Sequence, residues 1–187
     1  VNAAVNALPI VTANGSFGGV VVDLQTGNAT GDAISVGADS FTGVNGVIGS
    51  AFADSLSGSN NGANTTEFFE GRAGNDYIDG RGGFDQAIYN IDPNVGVGIN
   101  VQLAAGTVAG GAFVGNDTLR SIESIVGTNF NDIYNANGFN GSSANAGSNG
   151  TFNQFEGAGG DDTITGNGNT RLTYFNSTGG IDVNLTT

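Results

Sequence analysis

Aspartate and glycine recur at a fixed spacing near the middle of the chain, where two nine-residue units follow each other without a gap. The units Gly71–Asp79 and Gly80–Ile88 both carry glycine at positions one and four and aspartate at position six. Glycine allows a tight turn and a close approach of backbone groups. Aspartate carboxylates and turn carbonyls are hard oxygen ligands that suit Ca²⁺. Each unit therefore predicts a calcium-binding turn, followed by a three-residue strand with an apolar side chain facing a core.

Further segments follow the same pattern with different fidelity. Gly157–Thr165 fits fully, whereas Gly49–Ser57 and Gly127–Asn135 carry phenylalanine at position four. The unit that begins at Gly166 has Arg171 where aspartate is expected. The predicted calcium ligands, from side chains and backbone carbonyls, are Gly49, Ala51, Asp54, Gly71, Ala73, Asn75, Asp76, Gly80, Gly82, Asp85, Gly127, Asn129, Asp132, Gly157, Gly159, Asp161 and Asp162.

Turns two units apart are expected to stack and to share ions. This stacking pairs Asp54 with Asp76 and, in the same way, Asp132 with Asp162. Asp85 is expected to pair with the turn formed by residues 58–64. Several ions are predicted, with the earlier turns binding calcium better, because the Arg171 guanidinium is expected to take the place of an ion.

Turn capping is the alternative role for these aspartates. Asp and Asn side chains hydrogen-bond to their own backbone in turns, and this chain is rich in Asn. Isolated residues such as Asp23 and Asp92 fit this structural role best, whereas Asp39, Asp79 and Asp117 remain candidates for either role.

Longer repeats contain these units. Val22-Asp23-Leu24 recurs as Val101-Gln102-Leu103, an offset of 101 − 22 = 79 residues. We therefore divide the chain into an N-terminal strand, cap or linker (1–17), a first repeat (18–93), a second repeat (94–179) and the start of a third repeat or an assembly strand (180–187).

The amino-acid composition limits the range of functions expected for this chain. The chain has 17 acidic residues against 4 Arg, with no Lys or His, for a net charge of −13. This charge disfavours nucleic acid and anionic membranes as partners and favours bound cations. No apolar run approaches the roughly 18–20 residues of a membrane span. Without His, Lys or Cys, general-base and nucleophilic chemistry has few candidates, so neither catalytic residues nor an organic cofactor is predicted.

The fold expected is all-β: a parallel β-roll or β-helix solenoid whose glycine–aspartate turns bind Ca²⁺, with essentially no α-helix. No 3.6-residue apolar stripe is visible, and short β-rich segments such as Val20–Leu24 and Ile99–Leu103 alternate with Gly/Asn turns. The absence of Met suggests a processed product or an internal piece of a longer array.

The tandem units, with Ile122-Glu123-Ser124-Ile125 and the Gly-x-x-Phe-x-Asp segments, resemble the RTX, or haemolysin-type, calcium-binding repeats of large secreted bacterial proteins. The resemblance covers about residue 18 to the C-terminus. It implies a calcium-folded β-roll, type I secretion, and a non-enzymatic adhesin, S-layer or extracellular-fibre role at the cell surface. Expected partners are calcium ions, a homo-oligomer or head-to-tail filament, and a cell-surface polysaccharide. The alternative function is a polysaccharide-binding module appended to a secreted enzyme or toxin.

Overall fold

The computed structural model describes residues 18–31, 33, 36–62 and 65–184, which form short β-strands and no helix. Most strands have three residues, as expected where glycine-rich turns interrupt the chain every few positions. In chain order they are β1 (Val21–Asp23), β2 (Asn28–Thr30), β3 (Ala38–Ser40), β4 (Gly46–Ile48), β5 (Ser55–Ser57), β6 (Phe68–Glu70), β7 (Tyr77–Asp79), β8 (Gln86–Ile88), β9 (Asn100–Gln102), β10 (Thr107–Ala109), β11 (Asn116–Arg120), β12 (Ser124–Val126), β13 (Ile133–Asn135), β14 (Asn153–Glu156), β15 (Thr163–Thr165) and β16 (Thr170–Leu172).

The strands form two sheets. Sheet A has ten strands in the order β15-β13-β9-β10-β11-β7-β5-β1-β2-β3, and sheet B has six in the order β16-β14-β12-β8-β6-β4. Sheet B is parallel throughout, whereas sheet A contains antiparallel pairs within β1–β2–β3 and β9–β10–β11. From β4 to β8, and again from β11 to β16, successive strands alternate between the sheets. The prediction of an all-β chain is confirmed.

The middle residue of most strands points into one shared core, because side chains alternate across a strand and the outer two positions face away. Buried residues of both sheets belong to this core. Tyr134 of sheet A stacks on Phe155 of sheet B with ring centroids 4.7 Å apart, and the Tyr134 hydroxyl donates to Asn153 Oδ1. The other buried middle residues are Val22, Ala29, Val47, Leu56, Phe69, Ile78, Ala87, Val101, Val108 and Ile125, and Leu119 near the end of β11 is buried with them.

A three-stranded antiparallel unit occurs twice. β1–β2–β3 pairs Val22 with Ala29, and β9–β10–β11 pairs Val101 with Val108 at the same register. The copies differ at their third strand: β11 runs on for two more residues because it also pairs in parallel with β7, whereas among the described strands β3 pairs with β2 alone.

The ends of the chain bear on two sequence predictions. The predicted N-terminal strand or cap (1–17) lies outside the described residues. Of the predicted third repeat (180–187), Ile181–Asn184 contains no strand and is exposed, and residues 185–187 also lie outside the described part.

Candidate functional site

Each aspartate at position six folds back over the glycine at position one of its own unit. A Cβ placed on Gly71 would overlap the Asp76 carboxylate, and one placed on Gly157 would overlap that of Asp162. The Gly-to-Asp spacing therefore has a steric cause: only glycine leaves room for the carboxylate above the turn. Gly49, Gly80 and Gly127 meet Asp54, Asp85 and Asp132 in the same way.

Replacing such a glycine should unfold its turn. We expect Gly71→Ala to lower the free energy of unfolding by about 1–3 kcal/mol, because the new methyl group displaces a buried carboxylate. Gly141→Ala is the matched control, since a Cβ there meets nothing within 4 Å and its effect should stay within about 0.5 kcal/mol. Urea unfolding monitored by circular dichroism measures the free energy of unfolding of both variants. Equal effects of the two substitutions would contradict the steric explanation for glycine at position one.

The units contain two kinds of turn, which differ at position two. Arg72 and Arg81 adopt positive φ angles of 68° and 62°, and the fourth residue of their turns is glycine. In the phenylalanine units, Ser50 and Thr128 occupy position two and donate their hydroxyl groups to Asp54 Oδ1 and Asp132 Oδ1. From the sequence, phenylalanine at position four was interpreted only as a departure from the pattern. The serine or threonine that occupies position two in both phenylalanine units was not predicted to matter.

A ladder of carboxylates runs along one side of the molecule. Asp54 Oδ1 accepts the Val20 N–H at 2.6 Å, Asp76 Oδ1 accepts the Asp54 N–H at 2.8 Å, and Asp117 Oδ1 accepts the Asp76 N–H at 2.9 Å. We call Asp54, Asp76 and Asp117 the first ladder. The predicted neighbourhood of Asp54 and Asp76 is present, with Asp117 as a third member.

A second ladder forms on the other side from Glu67, Asp85 and Glu123. Asp85 Oδ1 accepts the Glu67 N–H at 3.2 Å, and Glu123 Oε2 accepts the Asp85 N–H at 2.9 Å. Of the turn 58–64 expected to pair with Asp85, residues 58–62 lie beside the turn that leads to Asp85, since the Asn61 N–H donates to Gly82 O, whereas residues 63 and 64 lie outside the described residues. Glu67 and Glu123 were absent from the predicted ligands, although Glu123 lies within the Ile-Glu-x-Ile segment that the sequence singled out.

The third ladder repeats the first in the second half of the chain. Asp132 Oδ1 accepts the Ile99 N–H at 2.8 Å, and Asp162 Oδ1 accepts the Asp132 N–H at 2.9 Å. The predicted neighbourhood of Asp132 and Asp162 is therefore also present.

The ladders differ in how well their carboxylate oxygens are satisfied. Asp54 Oδ2 accepts the Ser50 N–H and Asp132 Oδ2 accepts the Thr128 N–H. In contrast, four buried carboxylate oxygens among the described residues lack a hydrogen bond of good geometry, and so does the buried Tyr89 hydroxyl, which lies close enough to Asp117 to oppose the rise in the pKa of that carboxyl. These carboxylate oxygens are Glu70 Oε2, Asp76 Oδ2, Asp85 Oδ2 and Asp117 Oδ2.

Burial also changes the acidity of these groups. Desolvation raises the pKa of Asp76 to about 8, and the charges of Asp117 and Asp54 add to the effect. Desolvation likewise raises the pKa of Asp85 to about 8, helped by the charges of Glu123 and Glu67. Burial is also the main reason that the pKa values of Glu70, Asp117 and Glu123 rise to about 7. An unpaired buried carboxylate either keeps a proton or requires a cation.

The arginines beside these turns form their ion pairs with other carboxylates, although the Arg72 charge opposes the rise in the Glu70 pKa. Arg72 pairs with Asp92 at 3.3 Å, and Arg81 pairs with Asp23 at 2.7 Å. The Asp23–Arg81 hydrogen bond lowers the Asp23 pKa to about 2. The isolated acids Asp23 and Asp92 therefore have structural partners.

Other predicted positions lie apart from the ladders. Asp161 is exposed, and Asn75 Oδ1 accepts the Asn116 N–H, so neither side chain joins the buried carboxylates. The expectation that Arg171 replaces an ion is wrong: Arg171 is exposed on β16, stacks on Phe152 and donates to Gln154 Oε1. The strand begins earlier than the unit predicts, because the Asn167 N–H bonds to Thr170 Oγ1 and closes a shorter turn.

Carboxylates alone do not form a metal centre here. Across the described ranges, no three His, Cys, Asp or Glu side chains converge as a metal-binding group. A cation bound to Asp76 or Asp85 would therefore need backbone carbonyls or water as its remaining ligands, which is ordinary for Ca²⁺.

Comparison of the chain with protein-family models and with curated proteins gave no match. Among the residues with a described structure, no helix is long and apolar enough to cross a membrane.

Proposed function

We propose that this chain is a calcium-stabilised structural module, a β-roll of a secreted surface protein without enzymatic activity. The observation that supports this most strongly is the set of orphaned carboxylate oxygens. Asp76 Oδ2 and Asp85 Oδ2 belong to the two best-preserved glycine–aspartate turns, and neither has a protein donor. Their chemistry fits Ca²⁺, a hard cation that prefers carboxylate and carbonyl oxygen.

The proposed module places its calcium in the middle of the chain. Every orphaned carboxylate oxygen among the residues that the structure describes falls between Glu70 and Asp117. Serine and threonine hydroxyl groups already satisfy Asp54 and Asp132, so these two aspartates act as turn caps. Calcium would neutralise buried carboxylates that otherwise oppose folding, and the binding free energy becomes folding free energy.

In the proposal, secretion explains why folding is coupled to calcium binding. A strongly acidic chain with a net charge of −13 repels itself when calcium is scarce, as it is inside a cell. Millimolar calcium outside the cell would then fold the module, which matches the export of unfolded chains implied by the RTX resemblance. Extracellular calcium modules work with dissociation constants of roughly 10⁻⁴–10⁻³ M.

Calorimetric titration with calcium tests the proposal. We expect saturable binding that Asp85→Asn weakens at least about tenfold, since a unit charge on a hard-cation ligand is lost. Asp132→Asn is the comparison variant and should leave the calcium affinity of the remaining folded protein nearly unchanged. An affinity that does not respond to Asp85→Asn, or no binding at millimolar calcium, would overturn the proposed site.

A further inference from the structure

The connection between β13 and β14 is longer than its counterpart earlier in the chain. Residues 136–152 form it, whereas residues 58–67 join the equivalent strands β5 and β6. Phe139 anchors one end of the longer connection in the hydrophobic core. At the other end, the Phe152 ring lies 6.0 Å from a second phenylalanine ring. We call the segment between these two anchors, residues 140–150, the latch.

One buried side chain holds the latch against the residues that follow β11. Asn145 is 1% exposed. Its Oδ1 accepts the Ile122 N–H at 3.0 Å, and its Nδ2 donates to Ile122 O at 2.8 Å. The Ala144 N–H adds a hydrogen bond to Ala104 O at 3.0 Å. The latch is therefore docked on two segments that lie apart in the sequence.

Two further side chains of the latch reach the turn that carries Asp85. Ser148 Oγ accepts the Gly83 N–H at 3.2 Å and donates to Gly83 O at 3.1 Å. Asn149 Nδ2 donates to the same carbonyl. Gly83 in turn lies against the Asp85 carboxylate, since a Cβ on Gly83 would be 3.4 Å from Asp85 Oδ1 and 3.6 Å from Oδ2. The latch thus rests on the residue beside the proposed calcium ligand.

The latch also contacts the last member of the second ladder. Burial raises the pKa of Glu123 to about 7, and hydrogen bonds from Asp85 and Asn149 oppose this rise. In the shorter connection, the Ser59 hydroxyl donates to Glu67 Oε1 at 2.6 Å. Each outer carboxylate of the ladder is therefore held by a connection that follows a strand of sheet A, and the middle carboxylate lies between them.

Space beside the latch allows it to move without disturbing the core. A Cβ on Gly141 or Gly150 would meet nothing within 4 Å. Among residues 140–150, all of which belong to the described part of the chain, only Asn145 is buried. Undocking the latch therefore breaks a small set of hydrogen bonds and leaves both phenylalanine anchors in place, as expected for a segment that opens locally.

We propose that the latch gates the calcium-binding turn at Asp85, which exchanges its cation only while the latch is undocked. This inference rests on the proposed function and adds the control of calcium exchange to it. The docked latch holds both the N–H and the carbonyl of Gly83, so the turn cannot rearrange to free a ligand. Because the latch supplies no ligand, it slows uptake and release by the same factor and leaves the affinity nearly unchanged.

Calcium release into excess chelator, followed by stopped flow, tests the latch. Ser148→Ala combined with Asn149→Ala removes the side-chain bonds to Gly83. We expect the slow phase of release to become at least about tenfold faster, while the calorimetric dissociation constant changes by less than about threefold. Ser142→Ala combined with Asn140→Ala is the matched control, because Ser142 Oγ donates to Asn140 Oδ1 on the exposed side of the latch. This control should release calcium at the original rate.

A disulfide provides the opposite change. Ala104→Cys and Ala144→Cys place thiols on two residues joined by a backbone hydrogen bond, and the chain has no other cysteine. The hydrogen bond brings their Cα atoms into the range that a disulfide spans. The oxidised protein should release calcium at least about tenfold more slowly than the same protein after reduction.

The outcomes separate the latch from the calcium site. Saturable calcium binding with equal release rates in the two double variants, or in the oxidised and reduced protein, overturns the latch and leaves the site in place. A weaker affinity with an unchanged uptake rate also overturns it, since the latch would then stabilise the bound state and not gate it. Absence of calcium binding to the original chain overturns the proposed function and the latch with it. Circular dichroism of each sample verifies the fold.

Discussion

Without bound metal, the melting temperature of this protein is expected to fall by more than about 10 °C as the pH rises from about 5 to about 8. The pKa of Asp76 rises from 3.8 in the unfolded chain to about 8 in the fold, and that of Asp85 rises equally. At pH values between 3.8 and about 8, the folded state holds protons on Asp76 and Asp85 that the unfolded state has lost. The stabilising protonation is complete at acidic pH and disappears as the pH passes through 7 and 8, where Glu70, Asp117 and Glu123 also ionise.

Calcium should remove most of this fall. At about pH 8 the cation takes the place of the lost protons on the buried carboxylates, whereas at about pH 5 it must displace protons and stabilises little. Thermal melts of metal-depleted and calcium-loaded protein across this range measure the effect. Sodium chloride at matched ionic strength controls for screening of the net charge. A metal-depleted protein that is equally stable at both pH values, or more stable at the higher one, contradicts this prediction.

Asparagine substitutions at two neighbouring positions of the first ladder should have opposite effects. Asp76→Asn keeps the oxygen that accepts the Asp54 N–H and places an amide where Asp76 Oδ2 has no donor. We expect it to stabilise the metal-free protein at about pH 8, by about 1–2 kcal/mol, and to reduce the stabilisation that calcium provides. The loss of a buried charge explains both changes.

Asp54→Asn should be destabilising with or without calcium. Both Asp54 oxygens accept backbone N–H groups, from Val20 and from Ser50, so an amide nitrogen must face one of these donors. The cost of such an unsatisfied buried pair is about 1–3 kcal/mol. Urea midpoints of both variants, in calcium and in chelator, separate the two roles. If both variants shifted stability in the same direction in chelator, the distinction between turn caps and cation-binding carboxylates would be wrong.

The repeats themselves were readable from the sequence. The offset of 79 residues between the Val22 and Val101 segments matches the recurrence of one antiparallel unit at the same register. The stacking of Asp54 on Asp76 also followed from counting units. Both features depend on the chain returning to the same place after a fixed number of residues, which leaves a periodic trace in the sequence.

Other features left no such trace. Glu67 belongs to no nine-residue unit, yet its N–H meets Asp85 from 18 residues away. Arg171 occupies the place of an aspartate in the pattern but lies on a strand, because a local Asn167 turn shifts the register. Ser50 and Thr128 did carry a signal, a hydroxyl at position two of both phenylalanine units, which a comparison of the units with one another could have found.

The sequence by itself determined the alternation of turns and strands and the pairing of glycine with aspartate. These features are local: the carboxylate of Asp76 lies over Gly71 within one turn, so residue type and spacing suffice. Only the tertiary structure decided which carboxylates are capped and which are left without a donor. That difference depends on contacts between distant residues, such as Asp76 with Asp117 across 41 positions, and on burial, which no single unit of the pattern contains.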